Sequence, residues 1–155
     1  MMQRDDECNI MDIVKMDADN VAAVAQIEAE CFSKPWSEDM LKSELHNPNS
    51  YFIVAKLNDK ILGYAGMNTV LDEAYITNIA VFKEYRNNGV GKALINNLIK
   101  YVTDNDFSFI TLEVRESNVA AIGLYNLFGF IKEGKRRNFY TKPLEDAIIM
   151  TRHLK

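Results

Sequence analysis

Residues 86–91, RNNGVG, place one arginine and two closely spaced glycines directly before an amphipathic pattern that predicts a helix. Glycine lets a ligand approach the backbone without meeting a Cβ atom, and the first N–H groups of a helix attract anions. The stretch therefore predicts an anion site. It is not the nucleoside-triphosphate loop, which requires glycine at Arg86 and serine or threonine at Ala93, nor the dinucleotide fingerprint, which requires glycine at Leu94. A turn whose glycines serve local geometry alone is the alternative.

Two further stretches carry groups that could move protons. In FSFITLEVR (107–115), alternation places Glu113 on a face distinct from the apolar side chains of the same strand. Tyr125 lies seven residues after Asn118 on the following helix, so both lie on roughly one helix face. The alternatives are a solvated strand face for Glu113 and core packing for Tyr125.

Composition indicates one globular domain covering residues 1–155. The chain has 48% hydrophobic and 26% charged residues, enough to bury about two thirds of its unfolded surface. The first residues, MMQRDDECN, are unlike a secretory segment, and no apolar run approaches ~18 residues. We therefore expect a cytoplasmic protein that has no contact with a membrane.

Charge and cysteine content limit the partners. The formal net charge of −4 argues against direct nucleic-acid binding and suits a short basic partner. Cys8, Cys31, His46 and His153 have neither the spacing of a disulfide framework nor that of a zinc site, so we predict free thiols and no metal. The oligomeric state does not follow from these features.

Hydrophobic periodicity and turn residues predict the elements that must position these groups. We expect a strand at 8–15, a helix at 17–31 and a second helix to about His46, capped by Ser37. Strands follow at 51–57, 60–70 and 74–82, with a tight turn at Asn58-Asp59. A helix at 89–104 and a strand at 107–115 precede a helix capped by Ser117 and ended by Gly129. The last strands are expected at 130–140 and 144–152.

These residues carry a resemblance to a known family. The element order, R-x-x-G-x-G at 86–91 and the later LEVRESNVAAIGLYNLFGF resemble the GNAT superfamily of acyl-CoA N-acyltransferases. Within it, VLDEAYITNIAV, LEVRESNVAAIGLY, RRNFY and EDAIIM, with PWSED, are similar to the bacterial ribosomal-protein-alanine N-acetyltransferases (RimI type). The similarity covers most of residues 33–150, although family members commonly have RRNYY in place of RRNFY. It implies an α+β, GNAT-like three-layer fold: a mixed, mostly antiparallel sheet of about seven strands, flanked by about four helices.

The resemblance implies how acetyl-CoA would bind. Successive amides at the start of the helix would hold its pyrophosphate, with Arg86 adding charge at the rim. These amides belong to Asn87, Asn88, Gly89, Val90, Gly91 and Lys92. Ile79, Ala80 and Val81 would offer free backbone groups to the pantetheine arm where their strand splays from the next one, and Asn118 would also contact the cofactor. An ordinary, fully paired strand at 79–81 is the alternative.

The reaction implied is attack of a neutral amine on a thioester, which requires a base and a proton donor for the departing thiolate. Glu113 is the candidate base and Tyr125 the candidate acid. An ordinary glutamate has a pKa near ~4.3 and an α-amino group near ~7.7–8.0, so direct abstraction is uphill by about 5 kcal/mol. We therefore expect a relay through water or a raised pKa. A phenol near ~10 donating to a thiolate near ~8.5 is uphill by only about 2 kcal/mol.

The acceptor implied is the N-terminal alanine of a small-subunit ribosomal protein, bound as a peptide between Trp36 and Tyr140. For both aromatic residues, core packing is the alternative. A protein N-terminus suits the chemistry because its amine is substantially neutral near pH 7, whereas a lysine amine near ~10.4 is not. Two other hypotheses stay open: a GNAT enzyme acting on a polyamine or drug, for which a narrow closed pocket is expected, and a CoA-binding module without turnover.

Overall fold

The computed structural model describes residues 11–155. Within that range the chain forms seven strands and four α-helices. Their order is β1 (Met11–Lys15), α1 (Val21–Cys31), α2 (Glu38–Glu44), β2 (Ser50–Leu57), β3 (Lys60–Val70), β4 (Glu73–Val81), α3 (Val90–Asp104), β5 (Phe109–Arg115), α4 (Val119–Leu127), β6 (Ile131–Thr141) and β7 (Leu144–His153). A short 3₁₀ helix, Lys83–Tyr85, precedes α3. Residues 8–10 of the predicted first strand, including Cys8, lie outside the described residues.

The seven strands form one mixed sheet in the order β1-β2-β3-β4-β5-β7-β6. The β4–β5 pair is parallel, and the β1–β2, β5–β7 and β6–β7 pairs are antiparallel. This arrangement, with the four helices of the described chain, confirms the predicted α+β class. It places β5, the strand of Glu113, beside β4 on one side and β7 on the other.

Of the helix starts predicted for α1, α2 and α4, that of α2 agrees with the structure. Ser37 caps α2 as predicted, because its hydroxyl accepts a hydrogen bond from the Met40 N–H at 3.2 Å. The predicted start of α1 at Asp17 is wrong, since Asp17 donates its N–H to Asn20 Oδ1 at 2.9 Å in a turn that precedes the helix. The predicted cap at Ser117 is also wrong. Asn118 caps α4 by accepting the Ala121 N–H at 3.1 Å.

Contacts divide the chain into two units, of which the first contains the described residues up to Gly66 together with Asn78–Asn97. Its core is a cluster of buried apolar side chains from α1, α2, β2 and β3. The cluster includes Val24, Ile27, Leu41, Phe52, Val54 and Tyr64. The apolar stripe at the start of α3 is also buried, because Val90 and Leu94 recur at helical spacing.

One carboxylate lies inside this first unit. Glu28 is 1% exposed and accepts hydrogen bonds from the Trp36 backbone N–H at 2.8 Å, from Asn78 Nδ2 at 3.2 Å and from the Tyr64 hydroxyl. Three donors compensate the cost of burying this carboxyl group. Because Asn78 belongs to β4, this network holds the end of that strand in place. Asn78 directly precedes Ile79, Ala80 and Val81, the residues predicted to bind pantetheine.

The second unit contains Met67–Thr77 and Leu98–Lys155. Strand β5 alternates in burial as predicted: Ile110, Leu112 and Val114 are buried, whereas the residues between them are half-exposed. The register with β7 pairs Glu113 with Ile149, Thr111 with Thr151 and Phe109 with His153. Directly opposite residues of an antiparallel pair share a face, so these rows form one continuous surface with Glu113 at one end.

Irregular pairing of β6 with β7 decides which β6 side chains reach that surface. The register shifts between Lys132 and Gly134, leaving Glu133 as an extra residue. In regular pairing, every second residue of a strand lies on the same face of the sheet. One extra residue reverses this alternation, so that side chains beyond the bulge lie on the opposite face from the one expected. Arg136, opposite Ala147, therefore lies on the Glu113 face. A second shift between Arg136 and Tyr140 places Tyr140 opposite Glu145, again on this face.

Candidate active site

The predicted anion loop lies in the first unit and leaves backbone N–H groups accessible. Asn87 has φ 66° and Gly89 has φ 81°, and the residues at 86–89 are exposed. The Ala93 N–H donates to the Gly89 carbonyl at 3.0 Å, so the earlier N–H groups of α3 have no acceptor within the helix. A Cβ added at Gly89 would have no other atom within 4 Å. This geometry fits an anionic group bound at the start of the helix.

The Arg86 side chain is held against the end of β4. Its Nε donates to the Val81 carbonyl at 3.1 Å, and its NH2 group lies 3.2 Å from Cys31 Sγ, whose thiol donates to the same carbonyl at 3.4 Å. The Val81 carbonyl is thus occupied. Burial raises the pKa of the Cys31 thiol, although the neighbouring guanidinium opposes the rise.

The other residues predicted to bind acetyl-CoA differ in how far their side chains are exposed and in which polar atoms are already hydrogen-bonded. Asn88 Nδ2 donates to the carbonyls of Tyr85 and Arg86, at 3.2 Å and 3.1 Å, which closes the loop on itself. Lys92 is exposed, Ile79 and Val81 are half-buried, and Ala80 is buried. The Asn118 side chain is exposed and uses Oδ1 for the α4 cap, and within residues 11–155 its Nδ2 has no acceptor.

The ladder between β4 and β5 is short. It pairs Glu73 with Phe109, Ala74 with Ile110 and Tyr75 with Thr111, and β4 itself continues to Val81. Parallel strands that separate after a short ladder leave backbone donors and acceptors for an added, extended ligand. The end of this ladder at Tyr75 is compatible with the predicted splay.

Glu113 lies in the second unit beside a cation. Its side chain is 30% exposed, and Arg136 Nε is 2.6 Å from Oε2. The distance defines an ion pair, but the N–H does not point at the oxygen, and Oε2 is buried without a hydrogen bond from any residue of 11–155. The guanidinium therefore covers Oε2, and an amine or a water can reach Glu113 only through the exposed part of its side chain.

Tyr140 lies within electrostatic range of both Tyr125 and Glu113. Tyr125 is buried and packs on Phe130, with ring centroids 5.7 Å apart. Burial raises its pKa above the ordinary value, with a smaller contribution from Tyr140. Burial also raises the pKa of Tyr140, followed by the charge of Glu113, while the Arg115 guanidinium, 4.3 Å from the ring centroid, opposes the rise. The second unit thus contains three of the residues singled out from sequence, and Tyr140 interacts with each of the other two.

Trp36 takes a different position. Its ring packs on Phe52 with centroids 6.0 Å apart, and its backbone N–H donates to the buried Glu28. The side chain is half-buried against the core of the first unit. These contacts are those of the core-packing alternative, and a role as a groove wall stays a prediction.

Arg136 is a candidate site residue that the sequence interpretation did not single out. It occurs in the RRNFY stretch, but two adjacent arginines gave no means of deciding which one faces Glu113. The signal was the bulge at Glu133, which changes the parity of the strand and is visible only in the register with β7. Among residues 11–155 no group of three or more His, Cys, Asp or Glu side chains is placed to hold a metal ion. No helix of that range is long and apolar enough to cross a membrane.

The fold and these groups define the class of protein. The chain belongs to the acetyltransferase (GNAT) family, whose model matches residues 21–130, and it is an acetyl-CoA-dependent N-acetyltransferase. The resemblance inferred from the residues is thereby confirmed.

Several proteins similar to this chain are named for one acetyl acceptor, the alanine of a ribosomal protein. The ribosomal protein bS18-alanine N-acetyltransferase of Escherichia coli (strain K12) is 38% identical over 140 residues, covering 89% of this chain and 94% of that protein. A Bacillus subtilis (strain 168) protein provisionally named for the same activity is 39% identical over 136 residues, covering 87% and 90%. The crystal structure of the ribosomal-protein-S18-alanine N-acetyltransferase from Escherichia coli superposes with a TM-score of 0.87 at 35% identity, over 94% of this chain and 95% of the other.

Proposed function

We propose that this acetyltransferase moves the acetyl group of acetyl-CoA to the α-amino group of the N-terminal alanine of a small-subunit ribosomal protein. The observation that carries the proposal is the likeness, over nearly the whole of both chains, to an Escherichia coli enzyme named for that acceptor. The formal net charge of −4 is compatible with a basic acceptor tail. The reaction is expected in the cytoplasm, without direct contact to nucleic acid or membrane.

Acetyl-CoA supplies the activated acyl group as a thioester. In the proposal, the amides of residues 87–92 bind its pyrophosphate, and the open space at Gly89 supports this assignment. Ile79, Ala80 and Val81 bind the pantetheine arm through backbone groups other than the Val81 carbonyl, which Arg86 and Cys31 occupy. Arg86 thus holds the end of β4 in position and also contributes a positive charge at the rim of the pyrophosphate site.

Glu113 is proposed as the base for the incoming amine. The partial exposure of the Glu113 side chain supports this role, because the acceptor amine or a relaying water can approach it there. The amine nitrogen forms the new bond to the acetyl carbon, its proton passes to Glu113, and the carbon–sulfur bond breaks in the same ternary complex. Arg136, 2.6 Å away, keeps the carboxylate in position.

Tyr125 is proposed as the acid that protonates the departing thiolate. Burial raises the pKa of Tyr125, which by itself makes the phenol a weaker donor. The same low-polarity surroundings destabilise a thiolate formed beside it, so the cost of the transfer rises less than the shift alone indicates. Tyr125 therefore stays protonated throughout the range in which the amine titrates.

The acceptor is proposed to lie along the exposed face of β5 and β7, with Tyr140 beside its terminal residue. The cavity that Glu113 lines is bounded by exposed side chains, including Tyr75, Glu133 and Arg136. An open surface of this kind suits a peptide, whereas a polyamine or drug acceptor was expected to need a narrow closed pocket. The surface therefore favours the peptide hypothesis.

The experiment that tests the proposal compares acceptors. A peptide copying the N-terminus of the small-subunit ribosomal protein is compared with versions that start in Ser, Met or Lys, and with spermidine. Specificity constants are measured, and the acetyl group is located by fragment mass. We expect acetylation of the terminal alanine nitrogen with the highest specificity constant. A preference for spermidine, or acetylation confined to internal lysines, would contradict the proposed acceptor.

A further inference from the structure

The second unit contains a cavity of about 270 Å³ that runs away from Glu113. We call it the acceptor trough, and its rows are defined by the β5–β7 register: Glu113 with Ile149, Thr111 with Thr151, and Phe109 with His153. Rows are two residues apart, or about 6.7 Å, so the trough measures roughly 13 Å from Glu113 to Phe109. An extended peptide rises ~3.4 Å per residue, and roughly four residues fit this length.

Aromatic rings wall the end of the trough that is remote from Glu113. The rings of Tyr75 and Phe109 meet edge to face at a centroid distance of 6.0 Å, and His153 lies 6.2 Å from Phe109. Tyr75 is 38% exposed, so part of its ring is available to a ligand. Aromatic faces of this kind attract guanidinium and ammonium groups.

Carboxylates accompany the rings at the same end. Glu133 is 2.7 Å from His153 Nε2, and the Tyr75 hydroxyl donates to Glu73 at 2.7 Å. The hydrogen bond to His153 is the largest cause that lowers the pKa of Glu133, so this carboxylate is ionised at neutral pH. The bulge in β6 makes Glu133 an extra residue next to Gly134, which is paired with Ile149 of the trough.

The opposing charge lies at the other end. The Arg136 guanidinium, the one Arg or Lys among the lining residues, is paired with Glu113. Leaving His153 aside, the lining has two carboxylates and one guanidinium, and the remote end has Glu133, the carboxylate that Arg136 does not pair with. An acidic side chain would be repelled by Glu133. An apolar side chain would remove water from Glu133 and supply no hydrogen bond or charge in its place.

We propose that the remote end of the acceptor trough binds a basic side chain, arginine or lysine, from the second to fourth residue of the acceptor peptide. Glu133 supplies the countercharge, and Tyr75 and Phe109 supply the aromatic faces. The inference rests on the proposed function, because it takes the terminal amine to lie at Glu113. The trough thereby selects acceptor peptides by the charge of a residue that follows the terminal one.

The test uses eight-residue peptides that begin with alanine and are otherwise neutral, with one arginine at position 2, 3, 4 or 7. Acetyl transfer is measured as kcat and KM with saturating acetyl-CoA. We expect arginine at one of positions 2–4 to raise kcat/KM about 5- to 20-fold over the neutral peptide, mainly through KM. Position 7 lies beyond the trough and should give less than a twofold effect.

Two variants locate the effect, and one serves as a control. Glu133→Gln and Tyr75→Leu should each lower kcat/KM for the arginine peptide more than for the neutral peptide, so that the ratio of the two falls to below about twofold. Glu116→Gln removes an exposed carboxylate that pairs with Lys135 and does not line the trough, so the preference should persist. An unchanged preference in Glu133→Gln, or equal preference for position 7, would overturn the inference.

The outcomes separate this inference from the function on which it rests. If the neutral alanine peptide is acetylated on its terminal nitrogen with no arginine effect, the trough assignment is wrong and the proposed function stands. If no peptide in the series is acetylated at its terminus by the wild-type enzyme, both the acceptor proposal and this inference are wrong.

Discussion

At the scale of single residues, the proposed mechanism depends on Glu113 being partly exposed and lying next to a guanidinium. Both features follow from the strand on which each side chain lies. Glu113 is on the alternating face of β5, and Arg136 reaches that face because β6 has an extra residue at Glu133. The pair is thus set by register and not by closeness in sequence.

Glu113→Gln keeps the size of the side chain and removes the base. We expect kcat/KM with the alanine peptide to fall about 10²- to 10⁴-fold at neutral pH. Activity should recover in part as pH rises, because more of the amine is then neutral without help. Rates are measured from pH 6 to 10, with Glu116→Gln as the matched control. Normal single-turnover transfer in Glu113→Gln would exclude the residue as the base.

Tyr125→Phe removes one oxygen and keeps the ring that packs on Phe130. We expect a loss of about 10²-fold or more that does not recover at high pH, since the donor is missing at every pH. In the wild type, burial raises the pKa of Tyr125, so no decline from its ionisation is expected below pH 10. The same pH series measures this, with Tyr101→Phe as control. A deficit that vanishes at high pH would contradict a role as acid.

At the scale of elements, the start of α3 and the start of α4 each have a structural task as well as a proposed binding task. Asn118 caps α4 through Oδ1 and leaves Nδ2 for a ligand, so one side chain can serve both. At α3, the positive φ of Gly89 lets the loop enter the helix while no side chain occupies the space in front of its first amides.

Gly89→Val tests the loop as the pyrophosphate site. The new side chain would occupy space that is open in the protein, so we expect acetyl-CoA affinity to fall at least tenfold, with a stability loss of about 1–2 kcal/mol from the positive φ. Gly123→Val is the matched control: it also adds a side chain to open space, but within α4, where the change is roughly neutral. Affinity is measured by calorimetry. A folded Gly89→Val protein with unchanged affinity would refute the loop assignment.

At the scale of the whole molecule, binding should be visible as added stability. Acetyl-CoA at ~100 times its dissociation constant adds about 2.7 kcal/mol to the free energy of unfolding, which raises the melting temperature of a chain of this size by roughly 5–10 °C. The thermal shift is measured against acetyl-CoA concentration, with acetyl-pantetheine, which lacks the pyrophosphate, as the control ligand. An equal shift with both ligands at equal concentration would argue against anchoring through the pyrophosphate.

The sequence by itself determined the elements and most of the candidate groups. Alternation in β5 identified the face of Glu113, helical spacing identified the buried stripe of α3, and the glycines at 89 and 91 indicated the anion loop. These signals are local, because each depends on the period of a strand or helix or on the backbone freedom of glycine. Local signals were also wrong where two caps competed: Ser117 and Asn118 are adjacent, and the side chain that meets the Ala121 N–H was decided by the turn.

Only the tertiary structure decided which side chains meet. The ion pair of Glu113 with Arg136, the contact of Arg115 with Tyr140 and the grouping of Tyr75, Phe109 and Glu133 in one trough join residues from three strands, β4, β5 and β6. Their meeting depends on strand order and register, and one extra residue in β6 changes which of its side chains face Glu113. Register is fixed by packing across the sheet, which no local pattern in this sequence encodes.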